Sequence, residues 1–237
     1  METTLFPRFE QIRAFRRTTW PPRLALHCLL LAGPLLALCF ALYATLGADA
    51  EIAAWFKAWR PGHRTEAALL RCLTDWTNVV FSLVYAAIFL YGYRRGDRRL
   101  MRLAVCYACF QIAISFGAVR ILKIALGRPR PGVEGAFVFF SLDSGHHSLP
   151  SGHTAEIVGA LLPLALWRKS LALSLGLGLI IGVMAFSRVA LGWHFPSDTL
   201  AGAGLGAVSG LLIYSCWISG QSLRAVIDKE KHNAGSG

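Results

Sequence analysis

Residues 24–47 read LALHCLLLAGPLLALCFALYATLG, an apolar run without one charged side chain, between Arg23 and Asp49. At about 1.5 Å per residue a helix over this run crosses the roughly 30 Å hydrocarbon core of a bilayer. The pattern recurs along the chain, and further spans are expected at about 76–93, 101–126, 154–167, 170–190 and 198–219. The fourth is short, closed by Trp167-Arg168-Lys169 just before the fifth begins. Composition agrees: 55% of the 237 residues are hydrophobic and 16% charged, where soluble domains carry about a quarter charged. The expected fold class is therefore all-α, a polytopic six-transmembrane-helix bundle forming one domain over 1–233, with 234–237 as a flexible tail. The first run is long enough to remain as a span rather than be removed as a signal peptide.

A net charge of +11 on a soluble chain would suggest a nucleic-acid partner. Here the cations are bunched at span ends, which points to membrane lipids and to no nucleic acid. With the N-terminus in the cytoplasm, that side holds Arg8, Arg13, Arg16, Arg17, Arg23, Arg94, Arg95, Arg98, Arg99, Arg102, Arg168, Lys169, Arg224, Lys229 and Lys231. The bias predicts both termini in the cytoplasm of a bacterial inner (plasma) membrane protein. Between the first two spans Ile52, Trp55, Phe56 and Trp59 recur at helical spacing. They make one apolar face of a short helix, either lying in the interface or packed on the bundle. Five of the six cysteines lie in apolar runs, and Cys106-x-x-Cys109 reads as small packing residues. The glycines at 176, 178, 202, 204 and 206 suggest close helix packing, and Trp167 and Trp193 mark the two interfaces.

The opposite, cation-poor side still carries Arg120, Lys123, Arg128, Arg130 and Arg188. Cations there are costly unless something anionic belongs beside them. The third span ends Arg120-Ile-Leu-Lys123, followed by Gly127-Arg128-Pro-Arg130-Pro131. The next loop closes Pro150-Ser151-Gly152-His153, and the fifth span ends Ser187-Arg188, with His194 and Asp198 beyond it. With both termini inside, these segments emerge on one face. Lys123, Arg130 and Arg188 offer cations suited to phosphoryl oxygens. The Pro150-Ser-Gly turn offers a hydroxyl and free backbone N–H groups at a helix N-terminus. Two histidines give a nucleophile and an acid, and Asp198 can accept a hydrogen bond from the His194 ring. No metal and no other cofactor is needed where three cations converge on a transferring phosphoryl group.

Lys123-x6-Arg130-Pro131, Pro150-Ser-Gly-His153 and Ser187-Arg188-x5-His194-x3-Asp198 resemble the three signature motifs of the type 2 phosphatidic acid phosphatase family, complete and in order. The resemblance implies a metal-independent hydrolase acting through a phosphohistidine. His194 would attack phosphorus, Asp198 would hold its tautomer, and His153 would protonate the departing oxygen. Lys123, Arg130, Ser151, Gly152 and Arg188 would bind the phosphoryl oxygens. Glu156, on the His153 face of the fourth span, would orient His153 or read a polar substrate group. Arg128 would touch headgroups or remain a solvated loop cation. Arg120 would snorkel or attract substrate, and His146 and His147 would belong to a polar loop over the site rather than to a metal centre.

A site at the outer end of a bundle is reached from the membrane, so the expected substrate is a lipid phosphate or pyrophosphate. Candidates are lipid A 1-phosphate, undecaprenyl pyrophosphate and phosphatidylglycerophosphate. The alternatives are a lipid phosphotransferase on the same site, a soluble haloperoxidase sharing the motifs, and a non-catalytic anion or lipid transporter. Six spans disfavour the haloperoxidase. Motifs at span ends rather than at the midplane disfavour the transporter. Oligomeric state is not legible.

Overall fold

The computed structural model describes the backbone of residues 21–234 and the side chains as far as Ser219. The cations Arg8 to Arg17 and the end of the tail, 235–237, lie outside the described residues, as do the side chains of Arg224, Lys229 and Lys231. The described chain is helical with no strand. Its elements are α1 (Leu24–Leu46), α2 (Asp49–Trp59), α3 (Arg64–Arg95), α4 (Arg98–Leu126), α5 (Gly152–Arg168), α6 (Leu171–Ala190) and α7 (Pro196–Ala234). Five of them are long and apolar enough to cross a membrane: α1, α3, α4, α6 and α7 over Pro196–Ser219.

The fourth expected span is α5, with 17 residues. It falls short of a free-standing span because it is the central helix. Ala155, Ile157, Ala160, Leu161, Ala165 and Leu166 are almost wholly buried, and apolar residues all round a helix are the mark of one enclosed by others. The second expected span, α3, begins at Arg64, well before the expected 76. Charged Arg71 and Asp75 interrupt the apolar run without ending the helix. The third expected span is one helix broken by a π-helical stretch, Gln111–Ala118, whose wider turn buries Gln111 and Ser115.

Two close helix pairings set the frame. α5 lies along α7 because small residues on α7 recur every fourth position. A Cβ at Gly202 would overlap the Ser151 carbonyl, one at Gly206 the Ala155 carbonyl, and one at Gly210 would lie 2.8 Å from Leu162 Cβ. Gly204 faces open space. α1 lies along α6 in the same way, with Gly178 against the Leu30 carbonyl and Gly182 against Pro34, while Gly176 meets nothing. The buried His27 Nδ1–Ser174 Oγ bond, 2.8 Å, ties that pair. Of the apolar face of α2, Ile52 and Phe56 are buried against Leu42, Val189 and Ala190, whereas Trp55 remains 46% exposed. The short helix is thus seated on the bundle through half of its face. Cys106 Sγ lies 3.3 Å from Cys216 Sγ, and all six cysteines are free thiols.

Replacing Gly206 by Ala should force α5 and α7 apart, with a loss of about 1–3 kcal/mol. Gly204→Ala should be neutral or slightly stabilising. Thermal unfolding of the detergent-solubilised protein compares the two, and equal losses would contradict the packing described.

Candidate active site

Four helix ends meet at one end of the bundle: the C-termini of α4 and α6 and the N-termini of α5 and α7. The α6 terminus shapes the first part. Leu191 closes the helix, Gly192 takes φ +71°, and the Arg188 carbonyl accepts from both Trp193 N (3.1 Å) and His194 N (3.3 Å). This left-handed reversal is what glycine permits at a helix C-terminus. It lays the Trp193 ring 4.0 Å from the Arg188 guanidinium and turns His194 toward α7. Arg71 approaches the same ring at 5.8 Å.

α7 starts with Pro196 in its first turn, where the missing N–H costs nothing. Asp198, two residues on, accepts from the Phe195 backbone N–H at 2.9 Å and so caps the helix from within. The same carboxylate lies 3.6 Å from His194 Nδ1, with both side chains buried. That separation is longer than a hydrogen bond. Asp198 therefore fills both roles its position allows, first-turn cap and histidine partner. Since Nδ1 faces Asp198, Nε2 is the ring nitrogen left for chemistry. Burial, with Lys123 and Arg188 pushing the same way, lowers the His194 pKa to about 4 against the pull of Asp198. Its imidazole is neutral at neutral pH and keeps a lone pair.

α5 contributes the second part. Ser151 N donates to the Asp198 carbonyl at 2.9 Å, so the Pro150-Ser151-Gly152-His153 turn is fastened directly to the start of α7. Ser151 Oγ accepts from Thr154 Oγ1 at 3.0 Å and is wholly buried. Lys123, Arg130, Arg188 and His194 all act electrostatically on His153. The two histidines and three cations thus occupy one region, drawn from α4, the loop after it, α5 and the α6–α7 turn.

The loop between α4 and α5 is held by those same cations. Lys123 Nζ donates to the His147 carbonyl (3.1 Å) and Arg130 Nε to the Ser144 carbonyl (3.1 Å). Desolvation depresses the Arg130 pKa from its ordinary value. His147 is buried, with Nε2 2.9 Å from the Ser141 carbonyl and Nδ1 3.4 Å from Arg120. His146 pairs with Asp143 at 3.1 Å. Among the described residues no three of His, Cys, Asp and Glu gather as a metal set.

Two of the sequence candidates take unforeseen positions. Arg128 is neither at a headgroup nor solvated: it bridges Asp198 Oδ1 (2.6 Å) and Asp49 Oδ2 (2.8 Å) and donates to Ser197 Oγ (2.7 Å). Its guanidinium also lies 4.4 Å from the Phe195 ring. The two carboxylates draw it inward because each would otherwise be a poorly solvated charge. Glu156 bonds not to the His153 ring but to Asn78 Nδ2, at 2.7 Å. Sequence reading missed Asp49, Asn78 and Ser148, the last donating to Asp198 Oδ2 at 2.5 Å. Asp49 had one visible signal, an acid opening a helix on the same face as Arg128, Arg130 and Arg188.

The PAP2 superfamily model matches residues 104–219, the stretch that holds all three motifs. This match, over just under half of the chain, supports the PAP2 superfamily. It is 31% identical over 152 residues to a lipid A 1-phosphatase of Rhizobium johnstonii, an alignment covering 55% of this chain and 59% of that protein. The chain thus spans about six-tenths of the length of the curated relative it matches. A solved structure, the transmembrane PAP2-type phosphatidylglycerolphosphate phosphatase from Bacillus subtilis, superposes with a TM-score of 0.49 at 20% identity, over 80% of this chain and 92% of that one.

Two outcomes test this geometry. Arg128→Met strands two carboxylates and should destabilise the protein by roughly 3 kcal/mol. Adding Asp49→Asn should recover part of that loss, and a further, additive loss in the double variant would contradict the bridge. In an NMR titration, the His194 imidazole signal, assigned by its disappearance in His194→Ala, should protonate only as pH falls toward 4. A midpoint near 6.5 would place the ring in water.

Proposed function

We propose that this PAP2 protein is an integral membrane phosphatase that removes phosphate from a lipid phosphate or pyrophosphate through a phosphohistidine on His194. The observation that carries the proposal is a buried, neutral His194 whose Nδ1 faces Asp198, in one region with His153 and three cations. Nε2 attacks phosphorus as Lys123, Arg130 and Arg188 take up the charge on the equatorial oxygens, with Ser151 and Gly152 at the α5 N-terminus adding donors. Asp198 steadies the imidazolium that forms, and Arg128 keeps Asp198 ionised and in place. His153 gives its proton to the departing oxygen. Water then attacks the phosphoryl group on His194, with His153 taking the proton back, and inorganic phosphate leaves. This chemistry is carried by side chains alone, without a metal.

The lipid substrate is favoured by the membrane-length helices around the site and by the similarity to a lipid A 1-phosphatase. Lipid A 1-phosphate is the first candidate, with undecaprenyl pyrophosphate and phosphatidylglycerophosphate beside it. The cation bias supports cytoplasmic termini and a site on the exterior face of the inner membrane.

Phosphate release by the purified protein across these lipids is the test. His194→Ala and His153→Ala should each lower turnover by at least about a thousandfold while the protein stays folded. Activity should survive a chelator and fall with vanadate, which imitates five-coordinate phosphorus. Full activity in His194→Ala, or a strict need for Mg²⁺, would overturn the mechanism.

A further inference from the structure

α3 carries a polar stripe where a membrane span would ordinarily be apolar. Arg71, Asp75, Asn78 and Ser82 follow at helical spacing on one face. Each is engaged toward the site or the helices that build it. Arg71 approaches the Trp193 ring, Asp75 acts electrostatically on Arg188, and Ser82 Oγ lies 3.0 Å from Tyr107 OH. Asn78 sits at the centre. Its Nδ2 donates to Glu156 Oε2 (2.7 Å) and approaches the His153 carbonyl (3.5 Å). Glu156 is in turn tied to the π-helical stretch of α4, because Gln111 Nε2 donates to its carbonyl at 2.8 Å.

This cluster is not explained by stability alone. Asn78 is 7% exposed, and its Oδ1 has no hydrogen-bond partner among the described residues. A buried acceptor left unpaired is costly, and polar groups within a span mark function more often than packing. Glu156 is only partly buried, and its Oε2 is the atom that Asn78 binds. Two acceptors, Asn78 Oδ1 and the Glu156 carboxylate, therefore lie side by side about one turn, roughly 4.5 Å, along α5 from His153.

That position has a chemical meaning in the proposed reaction, on which this inference rests. His153 protonates the departing oxygen, so the leaving group must lie on the His153 side of phosphorus. The part of the leaving group nearest that oxygen then runs along α5 past Glu156. We infer that Asn78 and Glu156 form a subsite that accepts a hydrogen bond from a hydroxyl or amide N–H of the leaving group, close to the scissile oxygen. The subsite selects phosphate esters of sugar or glycerol headgroups over polyprenyl phosphates, whose leaving groups carry no such donor. Asn78 and Glu156 are specificity-determining residues, whereas Lys123, Arg130 and Arg188 read only the phosphate.

The test compares two lipids that differ by one hydroxyl: 1-acyl-glycerol 3-phosphate, with its free 2-hydroxyl, and the 2-deoxy analogue of equal chain length. In detergent micelles, the wild-type protein should hydrolyse the hydroxyl-bearing lipid with kcat/KM at least about tenfold higher. The Asn78→Leu/Glu156→Leu double variant removes both polar groups together and leaves neither unpaired. It should erase the preference while keeping kcat/KM for the deoxy lipid within about threefold of wild type. Asn78→Leu alone should reduce the preference in the same direction. Equal rates on the two lipids in the wild type, or variants that slow both lipids by the same factor, would overturn the subsite and leave the phosphatase reading standing. Release of phosphate from neither lipid, nor from any lipid phosphate tried, would instead overturn the phosphatase reading and the subsite with it.

Discussion

The site depends on how closely the start of α5 approaches the start of α7. The Ser151 N–H donates to the Asp198 carbonyl, and Gly202 leaves room for the Ser151 carbonyl on the other side. Nothing larger than glycine at 202 allows that approach without displacing backbone. Through this contact the turn proposed to bind phosphate and a histidine–aspartate pair, from segments about 45 residues apart in the chain, become one rigid unit. Preorganisation of that kind lets donors act on a transition state without reorganising at the moment of reaction. The short α5 follows from the same constraint. Its N-terminus is fastened to the start of α7, and the rest of the helix is enclosed by its neighbours.

The carboxylate of Asp198 is the second point of convergence. It receives the Phe195 N–H, the Ser148 hydroxyl and the Arg128 guanidinium, and it faces His194. The contacts come from two segments, the α6–α7 turn and the loop between α4 and α5, so the orientation of the histidine partner is overdetermined. Arg128 extends the network to Asp49 and thereby to α2, whose seat on the bundle is the small cluster of Ile52, Phe56, Val189 and Ala190. Helix α2 is thus coupled to the site both through the Arg128 guanidinium and through the direct bonds of Ser197 to Asp49.

Much of this was legible in the sequence, for identifiable reasons. Apolar runs report burial in lipid or core directly, so the helices near 24–47, 101–126, 170–190 and 198–219 could be read off. The three motifs are local strings of the residue types that bind and transfer phosphate. The every-fourth spacing of Gly202, Gly206 and Gly210 could have separated the packed glycines from Gly204, which the run of alternate glycines concealed. Other features were hidden because their meaning is not local. Asp49 meets Ser197 across 148 residues, and Asn78 meets Glu156 across 78. Neither neighbourhood hints at its partner. The early start of α3 was obscured by Arg71 and Asp75, charges that belong to the site end of that helix.

The central claim is that His194 carries the phosphoryl group between lipid and water. Rapid acid-free quenching of the purified protein during turnover of a lipid phosphate, followed by peptide mass spectrometry, tests it directly. The account predicts an acid-labile, base-stable phosphoryl adduct on the peptide containing His194 during turnover by the wild-type protein, absent in His194→Ala. A peptide that stays unmodified through turnover, or phosphate found on a serine or on His153 instead, would contradict it.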